Sequence, residues 1–114
     1  MKSKKNLVSI IINCYNGEKY LKEALLSVKA QTYKNWELIF WDNKSTDMSK
    51  QIIASIKDKR IKYFKSQKFT SLYKARNLAI KKAKGEFLCF LDTDDWWLTS
   101  KLKRQVEIFQ KKKK

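Results

Sequence analysis

Histidine is absent from this 114-residue chain. That removes Ser/His/Asp and Cys/His nucleophile arrangements and histidine-bearing zinc sites, so acid, base or metal chemistry falls to carboxylates. Glycine is nearly absent, with two residues in all, and neither G-x-G-x-x-G nor G-x-x-x-x-G-K occurs. A glycine-rich loop wrapped around phosphate is therefore excluded as the main binding device. Cys14 and Cys89 are the two cysteines; both lie in apolar runs without C-x-x-C spacing. They read as small buried hydrophobes with reduced thiols, which suits a cytoplasmic setting. Proline is missing, and no stretch rich in Gly, Pro or Ser marks a linker. No apolar run has the length of a membrane span: the basic "MKSKK" is followed by "LVSIII", too short for a secretory h-region with a cleavage site. The expectation is a chain that is soluble or peripheral to a membrane.

What is present suffices for one small domain over residues 1–114, with 43% hydrophobic residues and 13% aromatics to build a core. Lys and Arg number 27 against 11 Asp and Glu, a formal net charge of +16. Such a balance favours anionic partners such as nucleotides, phospholipid head groups or nucleic acid, although most charged side chains simply solvate a surface. The aromatics fall mainly in expected strands and on buried helix faces, which argues against a stacking platform for nucleic acid.

Apolar periodicity orders the chain as alternating strands and helices. "LVSIIINCY" (7–15) has the β-branched, continuously apolar character of a strand buried on both faces. Tyr20, Leu21, Ala24, Leu25 and Val28 then give one apolar stripe over 18–31, with Asn16 as the expected N-cap. "WELIFWD" (36–42) predicts a second strand. Ser45 and Thr46 offer caps for a helix presenting Met48, Ile52, Ile53 and Ile56. "RIKYF" predicts a third strand, and 71–84 a helix with Leu72, Ala75, Leu78, Ala79 and Ala83 inward and Gly85 as its stop. "FLCFL" predicts the fourth strand, before a last helix marked by Leu98, Leu102, Val106 and Phe109 that runs into the terminal lysines. Strict alternation predicts a parallel sheet with helices on both faces and right-handed crossovers.

In an open parallel sheet, ligands sit beyond the carboxyl ends of the strands where strand order reverses. The polar clusters lie at those ends: Cys14, Tyr15, Asn16 and Gly17 after the first strand, Asp42 to Asp47 after the second, and Asp92, Thr93, Asp94 and Asp95 after the fourth. Strand order 3-2-1-4 would bring Asp42 and the aspartate cluster to one crevice. Crowded aspartates repel one another, and a divalent cation relieves the repulsion. Hard oxygen ligands suit Mg²⁺ or Mn²⁺, which typically fill their remaining positions with water and phosphate oxygens. The plainer alternative is that the D-x-D residues cap the last helix in a solvated turn.

Over residues 8–110, through "VSIIINCYNGEKYLKEALLSVKAQTYKNWELIFWDNKSTD", "ARNLAIKKAKGEFLCFLDTDDWW" and "KLKRQVEIF", the chain resembles the nucleotide-binding half of a family 2 glycosyltransferase. The resemblance implies the GT-A fold, a Rossmann-like three-layer α/β sandwich. It implies that Cys14, Tyr15, Asn16 and Glu18 lie at a nucleotide-sugar pocket, that Asp42 hydrogen-bonds uracil, and that Asp92 and Thr93 lie by the ribose and diphosphate. Asp94, with Asp92, is the implied ligand for Mn²⁺ or Mg²⁺, and Arg76 and Asn77 are implied to face the same crevice. Transfer from a UDP-sugar to a saccharide or lipid-linked acceptor, with inversion, would serve polysaccharide biosynthesis. The catalytic base is expected beyond Lys114. The alternative is a non-catalytic nucleotide-sugar-binding or assembly module. Self-association, and contact of the last helix with the inner face of a membrane, complete the expectations. Departures are visible too: Asn13 and Cys14 stand where the family often shows Pro-x, and Asn43 and Lys44 where it often shows Asp-Gly.

Overall fold

In the computed structural model of the chain, residues 3–112 are described. Four parallel strands, β1 (Lys4–Cys14), β2 (Trp36–Asp42), β3 (Ile61–Lys65) and β4 (Gly85–Phe90), form one sheet in the order β3-β2-β1-β4. Helices α1 (Glu18–Lys29), α2 (Ser49–Ser55), α3 (Leu72–Ile80) and α4 (Lys101–Lys112) follow the strands in turn. The expected alternation and strand order are both present. Val8 pairs with Trp36 and with Phe87, and Cys14 pairs with Asp42, so β1 lies at the centre and its carboxyl end meets that of β2.

The apolar residues of the central strands face both ways. Ile10, Ile12 and Cys14 of β1 join Leu38 and Phe40 of β2, Leu21 and Leu25 of α1, Ile53 of α2 and Leu102 and Val106 of α4 in the larger core. On the opposite face Ile11, Ile39 and Trp41 pack against Ala75 and Ala79 of α3. The small residues of α3 let it lie close to the sheet. Burial of each large side chain stabilises the fold by roughly 1.5–3 kcal/mol relative to exposure. The alternate residues of β4 that face the α3 side, Leu88 and Phe90, remain 39% and 46% exposed.

Several local expectations are corrected. Asn16 is not the N-cap of α1: Gly17 holds that position without a side-chain cap, and Asn16 adopts the left-handed region with φ 51°. Ser45 and Thr46 do not cap α2, which begins after Met48, itself exposed. α3 is shorter than expected, is capped by Ser71 Oγ accepting from the Lys74 amide, and leaves Leu72 in solvent. Gly85 opens β4 rather than ending a helix; a Cβ there would lie 2.5 Å from the Leu7 carbonyl oxygen and 2.6 Å from Ser9 Oγ. Leu98 precedes α4 and is exposed. The apolar stripe of α4 is covered by the sheet, with Phe109 stacked on Phe87 at 4.8 Å, so it is not offered to a lipid surface. Of the terminal lysines, Lys113 and Lys114 lie outside the described residues.

One polar cluster fixes the amino-terminal end of the sheet. Glu37, buried in β2, accepts hydrogen bonds from Ser9 Oγ at 2.5 Å, the Lys84 amide at 2.6 Å and Lys62 Nζ at 3.0 Å. Burial pushes its carboxyl up, yet these donors outweigh it and hold the group below its ordinary value.

Candidate nucleotide site

The carboxyl ends of β1, β2 and β4 share one edge because the strands are parallel and adjacent. Leu91 donates its amide to the Ile11 carbonyl, which carries the β4 ladder to the start of the aspartate cluster. Beyond it the chain turns tightly, the Asp95 amide donating to the Asp92 carbonyl at 3.1 Å. That turn brings one carboxylate oxygen each of Asp92, Asp94 and Asp95 within 4.8 Å of one another, all on exposed residues. Among the described residues none of the three forms an ion pair with Lys or Arg.

Two neighbouring hollows open at this edge and share Asn13. The first, about 350 Å³, is walled by Asn16, Gly17, Lys19 and Tyr20 on one side and by Asp92, Thr93 and Asp94 on the other. The second, about 200 Å³, runs between Cys14 and Tyr15, the Asn43 loop, and Phe69 to Leu72. Tyr15 and Phe69 meet edge to face at its lip, 4.8 Å between ring centroids. Gly17 is needed for the first hollow's shape, because a Cβ there would fall 2.8 Å from Thr93 Oγ1 and 2.9 Å from Thr93 Cβ.

The turn after β1 is strapped to the loop after β2. Asn16 Oδ1 accepts from the Thr46 amide at 2.7 Å and the Asp47 amide at 3.3 Å, while the Asn16 amide donates to Ser45 Oγ at 2.9 Å. The Gly17 amide donates to Ser49 Oγ, and the Glu18 amide to Asp47 Oδ2. Asp47 also receives the Ser49 amide; burial pushes its carboxyl up, but these bonds outweigh it and the net shift is downward. Lys44, at φ 62°, makes the turn that lets the loop fold back.

The site residues expected from sequence separate into groups. Asn16, Asp92, Thr93 and Asp94 come together around the first hollow, and Cys14 and Tyr15 line the second. Asp42 sits at the same edge but lines neither: it is 2% exposed, its Oδ1 accepting from the Ser45 amide at 2.9 Å and its Oδ2 from Tyr63 Oη at 2.6 Å. Burial, then this bond to Asp42, pushes the Tyr63 phenol far above its ordinary value. Burial likewise pushes the Cys14 thiol up, which suits a packing residue rather than a nucleophile. Glu18 is exposed at the start of α1. Arg76 lines neither hollow; its guanidinium lies 5.3 Å from the Phe90 ring centre, and its buried Nε has no hydrogen-bond partner. Asn77 is exposed on α3. Sequence reasoning missed Lys19, Tyr20, Phe69 and Thr70, which reach the edge through helix phase and loop path. It also passed over Asn13, whose buried Oδ1 has no partner; its one signal was its place where the family often has proline.

A β3-β2-β1-β4 parallel sheet with an acidic turn after β4 defines a nucleotide-diphospho-sugar transferase fold of the GT-A type. Residues 9–114 match the model of glycosyl transferase family 2, and the chain belongs to that family. It is 43% identical over 107 residues to the Escherichia coli UDP-Glc:α-D-GlcNAc-diphosphoundecaprenol β-1,3-glucosyltransferase WfaP, covering 94% of this chain and 43% of the relative. It is 40% identical over 105 residues to WfgD of the same name and organism, covering 92% and 42%. The chain thus spans about two-fifths of these relatives' length. Staphylococcus aureus TarS 1–349 in complex with UDP-GlcNAc superposes with a TM-score of 0.86 at 32% identity, over 97% of this chain and 32% of that one. The Pyrobaculum calidifontis mannosyltransferase PcManGT, solved with GDP-Man and Mn²⁺, shares the fold with a TM-score of 0.77 at 24% identity, over 83% and 30%.

Proposed function

We propose that this chain forms the donor-binding part of a glycosyltransferase that takes a UDP-sugar and transfers the sugar to a lipid-linked or saccharide acceptor. The observation that carries this is the pair of adjoining hollows, one acidic and one aromatic, at the carboxyl edge of the sheet. Tyr15 and Phe69 are suited to hold a pyrimidine ring, and Asn13, between the hollows, to meet the ribose. Asp94 and Asp92, with Asp95 beside them, would hold Mn²⁺ or Mg²⁺: exposed carboxylate oxygens gathered within 4.8 Å and unpaired by any cation of the described protein fit a hard divalent ion. When bound, such an ion supplies Lewis-acid stabilisation of the departing diphosphate. Lys19, at the same hollow, adds positive charge towards the diphosphate. The UDP-Glc donor in the names of WfaP and WfgD, and the UDP-GlcNAc bound by TarS, support uridine as the nucleoside.

In the transfer itself the acceptor oxygen attacks the anomeric carbon as the bond from that carbon to the diphosphate oxygen breaks, the acceptor proton passing to a base and the configuration inverting. The residues described here bind and orient the donor. Asp42 and Asn16, whose side-chain oxygens accept from the backbone and from Tyr63, are positioning residues that hold the crevice open. The decisive experiment is calorimetric titration of UDP with and without Mn²⁺ into the wild type and Asp94→Ala. Binding is expected to strengthen at least about tenfold with Mn²⁺ in the wild type only. Equal affinity in all four mixtures would overturn the assignment.

A further inference from the structure

The connection from β3 to α3 ends in a tip that buries little of its apolar surface. Phe69, Leu72 and Tyr73 are 60%, 59% and 81% exposed within five residues of chain, and Lys65, Lys68 and Lys74 flank them. None of these lysines pairs with a carboxylate among the described residues. Behind the tip lies a hollow of about 620 Å³ edged by the same three lysines and by Lys82, with Trp41 and Phe64 beneath. No acidic side chain lines it. Exposed apolar residues flanked by cations at one turn combine the two signals that hold a protein at an anionic bilayer: insertion among the head groups and attraction to their phosphates.

We propose that the β3–α3 tip docks this protein on an anionic phospholipid surface, with Leu72 and Tyr73 entering the head-group zone and the lysine-edged hollow receiving lipid phosphate. Free phosphate accounts for the lysines but not for the apolar tip. A nucleic acid strand needs accessible rings in a row, whereas Trp41 is buried and Phe64 half-buried beneath the hollow. No helix among the described residues is long and apolar enough to cross a membrane. Because Phe69 and Leu72 also line the aromatic hollow, docking here sets the crevice mouth beside the lipid. That purpose, presenting the donor to a lipid-linked acceptor, rests on the transferase reading, while the docking itself does not.

The test is co-sedimentation of the intact chain with vesicles of phosphatidylcholine alone and of phosphatidylcholine mixed with phosphatidylglycerol. Wild type is expected to pellet with the anionic vesicles only. At about fivefold per lysine near an anionic surface, K68E/K74E is expected to weaken binding more than about tenfold, and Tyr73→Ser several-fold. The charge-matched K103E/R104E on α4 is expected to stay within about twofold of wild type. Circular dichroism confirms that each variant is folded. Equal losses from the α3 and α4 pairs, or equal pelleting with both vesicles, would overturn the proposal. So would release by inorganic phosphate but not by chloride of matched ionic strength, or displacement by single-stranded RNA that depends on Lys68 and Lys74. UDP titration of K68E/K74E separates the two ideas. Loss of vesicle binding with UDP binding intact supports the docking face, and vesicle binding by a chain that never binds UDP removes only the transferase reading.

Discussion

Asn16 and Asp42 are polar residues at the carboxyl edge of the sheet whose side-chain oxygens serve the scaffold. Asn16 accepts the Thr46 and Asp47 amides, and Asp42 the Ser45 amide and the Tyr63 hydroxyl. Asp42→Ala leaves two donors unmatched in a nearly buried place and is expected to destabilise the fold by about 2–4 kcal/mol, read as a lower urea midpoint. Asp42→Asn keeps one acceptor and is expected to lose about half as much. Equal stability of wild type and Asp42→Ala would show that the buried bonds do not hold the loop. Gly17 acts by lacking a side chain: Gly17→Ala drives a methyl into Thr93 and is expected to cost about 1–3 kcal/mol, with weaker UDP binding as the Asp92–Asp94 turn shifts. Sequence alone marked all three positions as edge residues. It could not show which atoms were already bonded, because those partners are distant in the chain.

At the level of elements, periodicity located all four strands and all four helices, since each buried stripe repeats with the period of its own element. The boundaries moved where a tertiary contact, and not a cap, ended the element. α3 ends at Ile80 because the chain must turn through Ala83 to bring the Lys84 amide to Glu37 and Gly85 against Ser9. Glu37→Ala is therefore expected to destabilise by about 3 kcal/mol, because Ser9, Lys84 and Lys62 all lose their acceptor. Chemical denaturation checks this. The turn before β3 carries an ion pair in which Arg60 grips Asp58 through its side chain at 2.7 Å and holds that carboxyl down at about 2. Since the folded value lies below the unfolded one, this contribution is complete above about pH 4 and is lost as the pH falls towards 2. Glu37 and Asp47, also shifted down, lose stability over the acidic range in the same sense. Asp58→Asn is expected to flatten the acid limb of the stability curve by about 1–2 kcal/mol; an unchanged limb in pH-dependent unfolding would refute the assignment.

Over the whole molecule, 27 Lys and Arg against 11 Asp and Glu leave a formal charge of +16, with far more cations than carboxylates to meet them. Self-repulsion opposes compaction, and salt screens it. The melting temperature is therefore expected to rise by a few degrees between low salt and about 0.5 M sodium chloride; a fall in calorimetric melts would show that attractive pairs dominate. The same charge is unevenly used. On β3, Lys62 serves Glu37, whereas Lys65, Lys68 and Lys74 pair with no carboxylate among the described residues and lie beside an apolar tip, a contrast that composition averages away.

By itself the sequence determined the alternating strands and helices of a parallel sheet and the acidic turn at its carboxyl edge, because apolar periods and polar strand ends are local patterns that survive without coordinates, whereas the strand order rested on the family resemblance. The tertiary structure decided which of those polar atoms remain free. It bonded the side-chain oxygens of Asp42 and Asn16 to neighbouring loops and to Tyr63, left Asp92, Asp94 and Asp95 open to solvent, and put Phe69 against Tyr15. Hydrogen-bond satisfaction and burial depend on residues tens of positions apart, and only the folded chain brings those within reach.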